Sequence, residues 1–205
     1  MKEIAFSAAS DRNKQPILEM LQLLLPEQGR ALEIASGTGQ HVAWFAAHLP
    51  HWQWQPTDGD ARMLPSIDAR SSEARLANVL PARALDVLQQ PWPLGDARYE
   101  LIFCANLLHI SPPACSGALM QGAARHLAPE GMLVTYGPYL EDEVLTTPSN
   151  LAFDESLRAR HPAWGLRRRE DLEELAKQAG LHLSERHEMP ANNLLLVWRA
   201  EREQD

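Results

Sequence analysis

Residues 31–41 read Ala31-Leu32-Glu33-Ile34-Ala35-Ser36-Gly37-Thr38-Gly39-Gln40-His41. A short apolar run carrying one acid gives way to two glycines a residue apart, then to Val42–His48, which is helix-like. This is the pattern of a strand, a tight turn and a helix. Glycine lets the backbone approach a ligand where a Cβ would stand in the way. The first turn of the helix leaves N–H groups without intrahelical partners, free for an anionic or polar ligand group. A βα turn that needs glycine only for its own geometry has the same pattern, so the rest of the chain must separate the two readings.

Outward from this stretch, strands and helices alternate. Before it, Ser7–Lys14 is polar and Gln15–Leu25 carries Ile17, Leu18, Leu21, Leu24 and Leu25 at helical spacing, with Pro16 in a first turn and Pro26 as a stop. Arg30–Ile34 is the first strand. After the turn, Trp52–Pro56 is a second strand ending at Thr57-Asp58-Gly59-Asp60, and Arg62–Val79 is mostly helix-forming. Ala82–Val87 is a short third strand ending near Asp86, and Tyr99–Ala105 a buried fourth. Ser111-Pro112-Pro113 opens a helix that runs to about Leu127 and is stopped by Pro129-Glu130-Gly131; Met132–Tyr136 is the fifth strand. An irregular piece with Gly137-Pro138 and Thr147-Pro148 follows, then a helix over Ser149–Arg160 capped by Ser149. Arg168–Ala179 is a further helix with Gly180 just past its end. Leu181–His187 and Leu194–Arg199 are two last strands joined through Pro190-Ala191-Asn192-Asn193.

The alternation predicts an α/β fold with a doubly wound, Rossmann-like, mostly parallel sheet. The last two strands have no helix between them and should pair antiparallel at the sheet's end. A chain of 205 residues fits one domain, with 137–167 as a substrate-cover insert after the fifth strand. The formal net charge of −8 argues against a nucleic-acid partner. Two cysteines, Cys104 and Cys115, make no disulfide framework, no His or Cys pair has metal-ligand spacing, and no apolar run spans a membrane. With no signal-peptide h-region, the expected compartment is the cytoplasm.

In doubly wound sheets, ligands bind beyond the carboxyl ends of the strands, at the switch in strand order. The glycine turn lies there, Asp58 ends the next strand about 20 residues on, where an acid meets ribose hydroxyls, and Asp86 can accept from an exocyclic amine of an adenine-like ring. Asn106 ends the fourth strand. Two nucleoside ligands fit. A dinucleotide favours Gly or Ala at the last position of Gly-x-Gly-x-x-Gly, which here is Val42. S-adenosylmethionine has a ribose and an adenine but no phosphate, and carries an ammonium for which Glu33 is a suitable partner. Glu33-x-x-x-Gly37-x-Gly39 followed by Asp58 and Asp86 suits the second ligand better.

Leu32-Glu33-Ile34-Ala35-Ser36-Gly37-Thr38-Gly39 resembles the first motif of class I S-adenosylmethionine-dependent methyltransferases, with Ala35 where that family usually has Gly. A closer resemblance covers nearly the whole chain. Arg12-Asn13-Lys14, Gln55-Pro56-Thr57-Asp58, Asn106-Leu107-Leu108-His109-Ile110-Ser111-Pro112, Pro148–Arg158, Trp164-Gly165 and Met189-Pro190-Ala191-Asn192-Asn193 together resemble the DUF938 family, of the methyltransferase-like protein 26 type. The resemblance implies a class I methyltransferase fold and S-adenosylmethionine as cofactor, with the acceptor unassigned. The expected cofactor site comprises Glu33, Ala35, Gly37, Gly39, Asp58, Asp86, Val87 and Asn106.

The expected activity is methyl transfer to a small molecule. His109 has the chemistry of a general base for a hydroxyl or thiol acceptor, with Asn106 beside it as the second candidate catalytic residue. Some amino-methylating enzymes carry Asn-Pro-Pro-Tyr at the end of the fourth strand; Asn106 matches only its first residue. Arg12, Lys14, Tyr139, Asn150 and Arg158 are the candidate substrate residues, a set of amide, aromatic and cationic groups suited to a small polar or anionic metabolite. Two alternatives stand beside this reading: a non-catalytic S-adenosylmethionine-binding regulatory protein, and an NAD-type oxidoreductase on the same layout.

Overall fold

The computed structural model describes residues 4–201. Helix α1 (Ala8–Leu24) precedes β1 (Gly29–Ile34), which enters the glycine turn and α2 (Gln40–His48). There follow β2 (Trp52–Asp58), α3 (Leu64–Glu73), β3 (Arg83–Ala84) and β4 (Tyr99–Ala105). Next come α4 (Ala114–His126), β5 (Leu127–Gly137), β6 (Tyr139–Leu140), α5 (Pro148–Arg160) and β7 (Arg167–Arg168). The described chain closes with α6 (Arg169–Gln178), β8 (Leu181–Met189) and β9 (Asn193–Ala200).

Seven strands form one sheet in the order β3-β2-β1-β4-β5-β9-β8, while β6 and β7 pair apart from it. The strands from β3 through β5 are mutually parallel. The last two strands pair antiparallel as predicted, and β9 inserts between β5 and β8, antiparallel to both. The order reverses between β1 and β4, so the glycine turn stands at the switch point, where the crossovers diverge and leave a crevice.

Both faces of the sheet are covered, and the side-chain alternation shows it. Leu32, Ile102, Leu133 and Leu196 point to one core with Leu119 and Met120 of α4 and Leu172 of α6. Their neighbours Ala31, Leu101, Val134 and Leu195 point to the other, with Ile17 and Leu21 of α1, Phe45 of α2 and Ile67 of α3. Among the described residues no helix is long and apolar enough to cross a membrane.

Several boundaries differ from the sequence expectation. Helix α1 begins seven residues before Gln15, because Ser7 supplies the cap, accepting from Ser10 N at 3.2 Å. Pro16 therefore sits inside the helix and not in its first turn. Helix α3 ends at Glu73, past which Arg75 takes a left-handed φ of +54°; residues 78–80 then run beside β2, Trp54 N donating to Asn78 O and Leu80 N to Trp54 O. Only two residues of the third strand pair, since Asp86 turns the chain by accepting from Leu88 N at 2.9 Å. Pro129–Gly131 falls inside β5, absorbed where the β4–β5 register shifts between Tyr99 and Leu101. Thr147, not Ser149, caps α5, which starts on Pro148.

Candidate functional site

The turn after β1 is wound left-handed at three alternate residues: Ala35, Gly37 and Gly39 have φ of +55°, +55° and +73°. At Gly39 the requirement is also one of space, because a Cβ there would stand 3.0 Å from Ile67 Cα of α3. Ala35 holds the same backbone region with a Cβ, at a cost of roughly 1–2 kcal/mol. The turn is stitched to β2: Ser36 N donates to Thr57 O at 2.8 Å, Thr57 N to Ser36 Oγ at 3.2 Å, and Thr57 Oγ1 to Glu33 O at 2.7 Å. Asp58, at the end of β2, accepts from Gly37 N through Oδ2 and from Asp60 N through Oδ1, both at 2.8 Å. Each oxygen keeps a lone pair for a further donor.

Glu33 lies beneath this turn, 1% exposed. Burial pushes its carboxyl up to about 8, a hydrogen bond with Ser36 opposing and the Asp58 charge adding. Its Oε2 is buried with no hydrogen-bond partner among the described residues. A desolvated carboxyl with an unsatisfied oxygen is a costly arrangement in an empty site and a favourable one beside a cation.

The start of α2 is covered by chain, not open to a phosphate. Ser7 N donates to Gln40 Oε1 at 2.5 Å, Gln40 Nε2 returns to Ser7 O at 3.2 Å, and Arg70 reaches Thr38 O and Ala5 O at 2.9 and 2.5 Å. Residues 5–7 thus lie over the helix end where a pyrophosphate would sit.

In front of the turn, toward β4 and β5, opens a cavity of about 980 Å³. Ala35 and Gly37 of the turn, Asn106 and His109 after β4, Arg12 of α1 and Asn150 of α5 share its wall. Asn106 has φ of +61° and its N–H donates to Tyr136 O at 2.8 Å. A Cβ on Gly137 would lie 3.3 Å from His109 Nδ1 and 3.8 Å from Asn106 Oδ1, so the absence of a side chain there leaves room for both groups. The His109 ring meets Phe153 of α5 edge-on at 5.5 Å between centroids. Burial, then the positive charges of Arg167 and Arg160, pull His109 down to about 4, so the imidazole is neutral at physiological pH. Two of the DUF938-like motifs close the far side: Asn150 Nδ2 donates to Asn192 O at 3.0 Å and Asn192 Nδ2 to Ser149 Oγ at 3.2 Å.

The other sequence candidates sit elsewhere. Asp86 is exposed on the Asp58 side of the turn; a Cβ on Gly59 would be 3.7 Å from Asp86 Cα. Val87 follows it into the core, 6% exposed. Gly39 is the cap of α2. Lys14 pairs with Asp11 and lies 4.7 Å from the centroid of the Trp44 ring. Tyr139 is buried on β6 and faces a second, smaller cavity. Arg158 pairs with Asp154 at 2.8 Å and lies against Gly165. Asn13, His41 and Tyr136 also lie on this wall, although the sequence does not single them out as site residues. His41 Nε2 donates to Asn13 Oδ1 at 2.7 Å, and Asn13 hydrogen-bonds the Tyr136 hydroxyl. Burial lowers His41 to about 4, with the charge of Lys14 adding to the effect. The adjacency of His41 to the glycine turn and its polar character inside an apolar helix were the available signal. Among the described residues no group of three or more His, Cys, Asp or Glu could hold a metal ion.

Solved structures share this architecture. An O-methyltransferase family protein from Burkholderia thailandensis superposes with a TM-score of 0.80 at 16% identity, over 96% of this chain and 58% of its own. Mitomycin 7-O-methyltransferase MmcR gives 0.80 at 13% identity, over 94% and 54%. CalO1, a methyltransferase of calicheamicin biosynthesis solved with SAH bound, gives 0.74 at 15%, over 93% and 54%. The chain spans little more than half the length of these proteins, and at such identities the likeness establishes the Rossmann-like methyltransferase fold. Residues 4–200 match the family described as "Protein of unknown function (DUF938)". Matched over nearly all its length, the chain belongs to the DUF938 family.

Proposed function

We propose that the protein is an S-adenosylmethionine-dependent methyltransferase acting on a small-molecule acceptor, of the methyltransferase-like protein 26 type within its family. The observation that carries this reading is Glu33: a desolvated carboxyl with an unpartnered oxygen directly under a left-handed glycine turn whose helix end is covered against phosphate. That combination suits a nucleoside ligand bearing an ammonium and no phosphate, and it disfavours a dinucleotide. The solved O-methyltransferases of the same fold support the reading, CalO1 having been captured with the demethylated cofactor.

In this assignment the ribose hydroxyls lie against Asp58, the adenine against Asp86 and Val87, and the methionine end over Ala35, Gly37 and Gly39, toward Glu33 and Asn106. The cofactor, when bound, supplies a methyl group made electrophilic by its sulfonium. Asn106 orients the acceptor and His109, neutral at physiological pH, takes its proton on an imidazole nitrogen. Segment 137–167 covers the acceptor through Pro138, Ser149, Asn150 and Phe153. The wall and the cavity volume, about 980 Å³, suit a small molecule beside a nucleoside. A net charge of −8 argues against nucleic acid, and two free buried thiols, Cys104 and Cys115, suit the reducing cytoplasm.

The test is methyl transfer from labelled S-adenosylmethionine to a panel of phenols, thiols and amines and to a small-metabolite extract. Label recovered in a small product, and reduced at least tenfold by His109→Gln, supports the proposal. Cofactor binding with no labelled product from any source favours a regulatory binding protein instead.

A further inference from the structure

The cavity wall has a charge pattern unlike the rest of the chain. Asp and Glu make up 27 of 205 residues, yet none lies on this wall among the described residues. Among the described residues its one full charge is Arg12, exposed at the mouth on the first half of α1. Among the described residues the Arg12 guanidinium has no ion pair or hydrogen bond, and its acidic neighbour Asp11 is taken by Lys14. A guanidinium offers five donors, and a planar carboxylate matches its fork; here it stands beside described lining residues that include no carboxylate.

The adjoining residues add neutral donors. Asn13 accepts from His41 Nε2 through Oδ1, which leaves its amide N–H for the Tyr136 oxygen. The Tyr136 hydrogen is then free to donate into the cavity, where this side chain lies. All three groups are buried and neutral, and the relay runs from α2 through α1 to β5. Helix α1 is itself pinned to the glycine turn by the paired hydrogen bonds between Ser7 and Gln40. The helix that carries Arg12 and the strand that carries Tyr136 thus bring both side chains to the wall of the same cavity.

We propose that Arg12 and the Tyr136 hydroxyl form a carboxylate-binding subsite in this cavity. The proposal rests on the cofactor reading above in one respect: the carboxylate belongs either to the methionine end of the donor or to the acceptor. Either source places a negative group against lining residues that include no Asp or Glu among those described.

Isothermal titration separates the sources. S-adenosylhomocysteine and its decarboxylated analogue S-adenosyl-3-thiopropylamine are titrated into wild type, Arg12→Gln and Tyr136→Phe. 4-Hydroxybenzoate and its neutral counterpart 4-hydroxybenzamide are then titrated into each protein saturated with S-adenosylhomocysteine. If the donor supplies the carboxylate, Arg12→Gln weakens S-adenosylhomocysteine roughly tenfold or more and Tyr136→Phe several-fold, while the decarboxylated analogue binds all three proteins alike. If the acceptor supplies it, hydroxybenzoate binds wild type more tightly than the benzamide, and both variants erase that preference. Wild-type behaviour of either variant toward all four ligands overturns the subsite. Failure of wild type to bind S-adenosylhomocysteine overturns the cofactor reading alone, and the benzoate–benzamide comparison on the free protein then decides the subsite.

Discussion

Glu33→Gln should make the protein more stable at alkaline pH and worse at binding its cofactor. The substitution keeps the side-chain shape under the glycine turn and removes the ionisable proton. In the folded chain burial holds the carboxyl near 8, against 4.5 in the unfolded chain. The native state therefore keeps a proton that the unfolded state releases, and wild-type stability falls as pH rises from about 4.5 to about 8. Integrated between pH 5 and pH 8, that loss is roughly 3–4 kcal/mol, which the glutamine variant escapes. Urea denaturation of both proteins across this range checks it, because other titrating groups cancel in the difference. The variant should gain on wild type steadily with pH, by roughly 10 °C in melting temperature at the alkaline end. A cation placed against Glu33 reverses its preference, so S-adenosylhomocysteine binding at pH 7 should release close to one proton from wild type and none from the variant. Calorimetry in buffers of different ionisation enthalpy measures this. A pH-independent stability difference would mean that the carboxyl is not desolvated, and would remove the observation on which the cofactor assignment stands.

Three further outcomes follow from the site. Gly39→Ala adds a Cβ at φ +73° and 3.0 Å from Ile67 Cα, so it should cost roughly 2 kcal/mol by urea denaturation and abolish S-adenosylhomocysteine binding; retention of both would show that the turn can open. Ala35→Gly relieves a left-handed alanine and should leave stability unchanged or raised by up to about 1 kcal/mol, with cofactor affinity kept; a loss above that size would assign the methyl group a packing role. His109→Gln should lower single-turnover methyl transfer about 100-fold while changing S-adenosylhomocysteine affinity less than twofold. With His109 held near 4, the wild-type rate should lose this group's contribution only as pH falls below about 5.

How much of this was legible in the sequence depends on how local each signal is. The glycine turn, the Tyr99–Ala105 strand and the final strand pair are readable because φ preference and period-two burial are properties of a few consecutive residues. The third strand is shorter than its apolar run suggests because the turn chemistry of Asp86 outweighs that run. Pro129–Gly131 resembles a helix stop and is instead an irregularity inside β5, since the strand pairing with β4 tolerates a shifted register there. On the wall, Arg12, Asn106, His109 and Asn150 come together as chemically conspicuous residues on loops and helix starts. Lys14 and Arg158 share that character but are claimed by Asp11 and Asp154, one and one turn away on their own helices. Asn13, His41 and Tyr136 are a tertiary product: α1 must pack across α2 and β5 before their side chains meet, and nothing in the spacing announces that they do.

In the proposed function, the turn between β1 and α2 holds a nucleoside cofactor with an ammonium and no phosphate. Isothermal titration of S-adenosylhomocysteine and of NADH into wild type and Asp58→Ala is the decisive measurement. Wild type should bind S-adenosylhomocysteine in the micromolar range, Asp58→Ala should lose roughly tenfold or more because the acceptor at the end of β2 is gone, and neither should bind NADH. Wild type that leaves S-adenosylhomocysteine unbound at high micromolar concentration, or that prefers NADH, contradicts it.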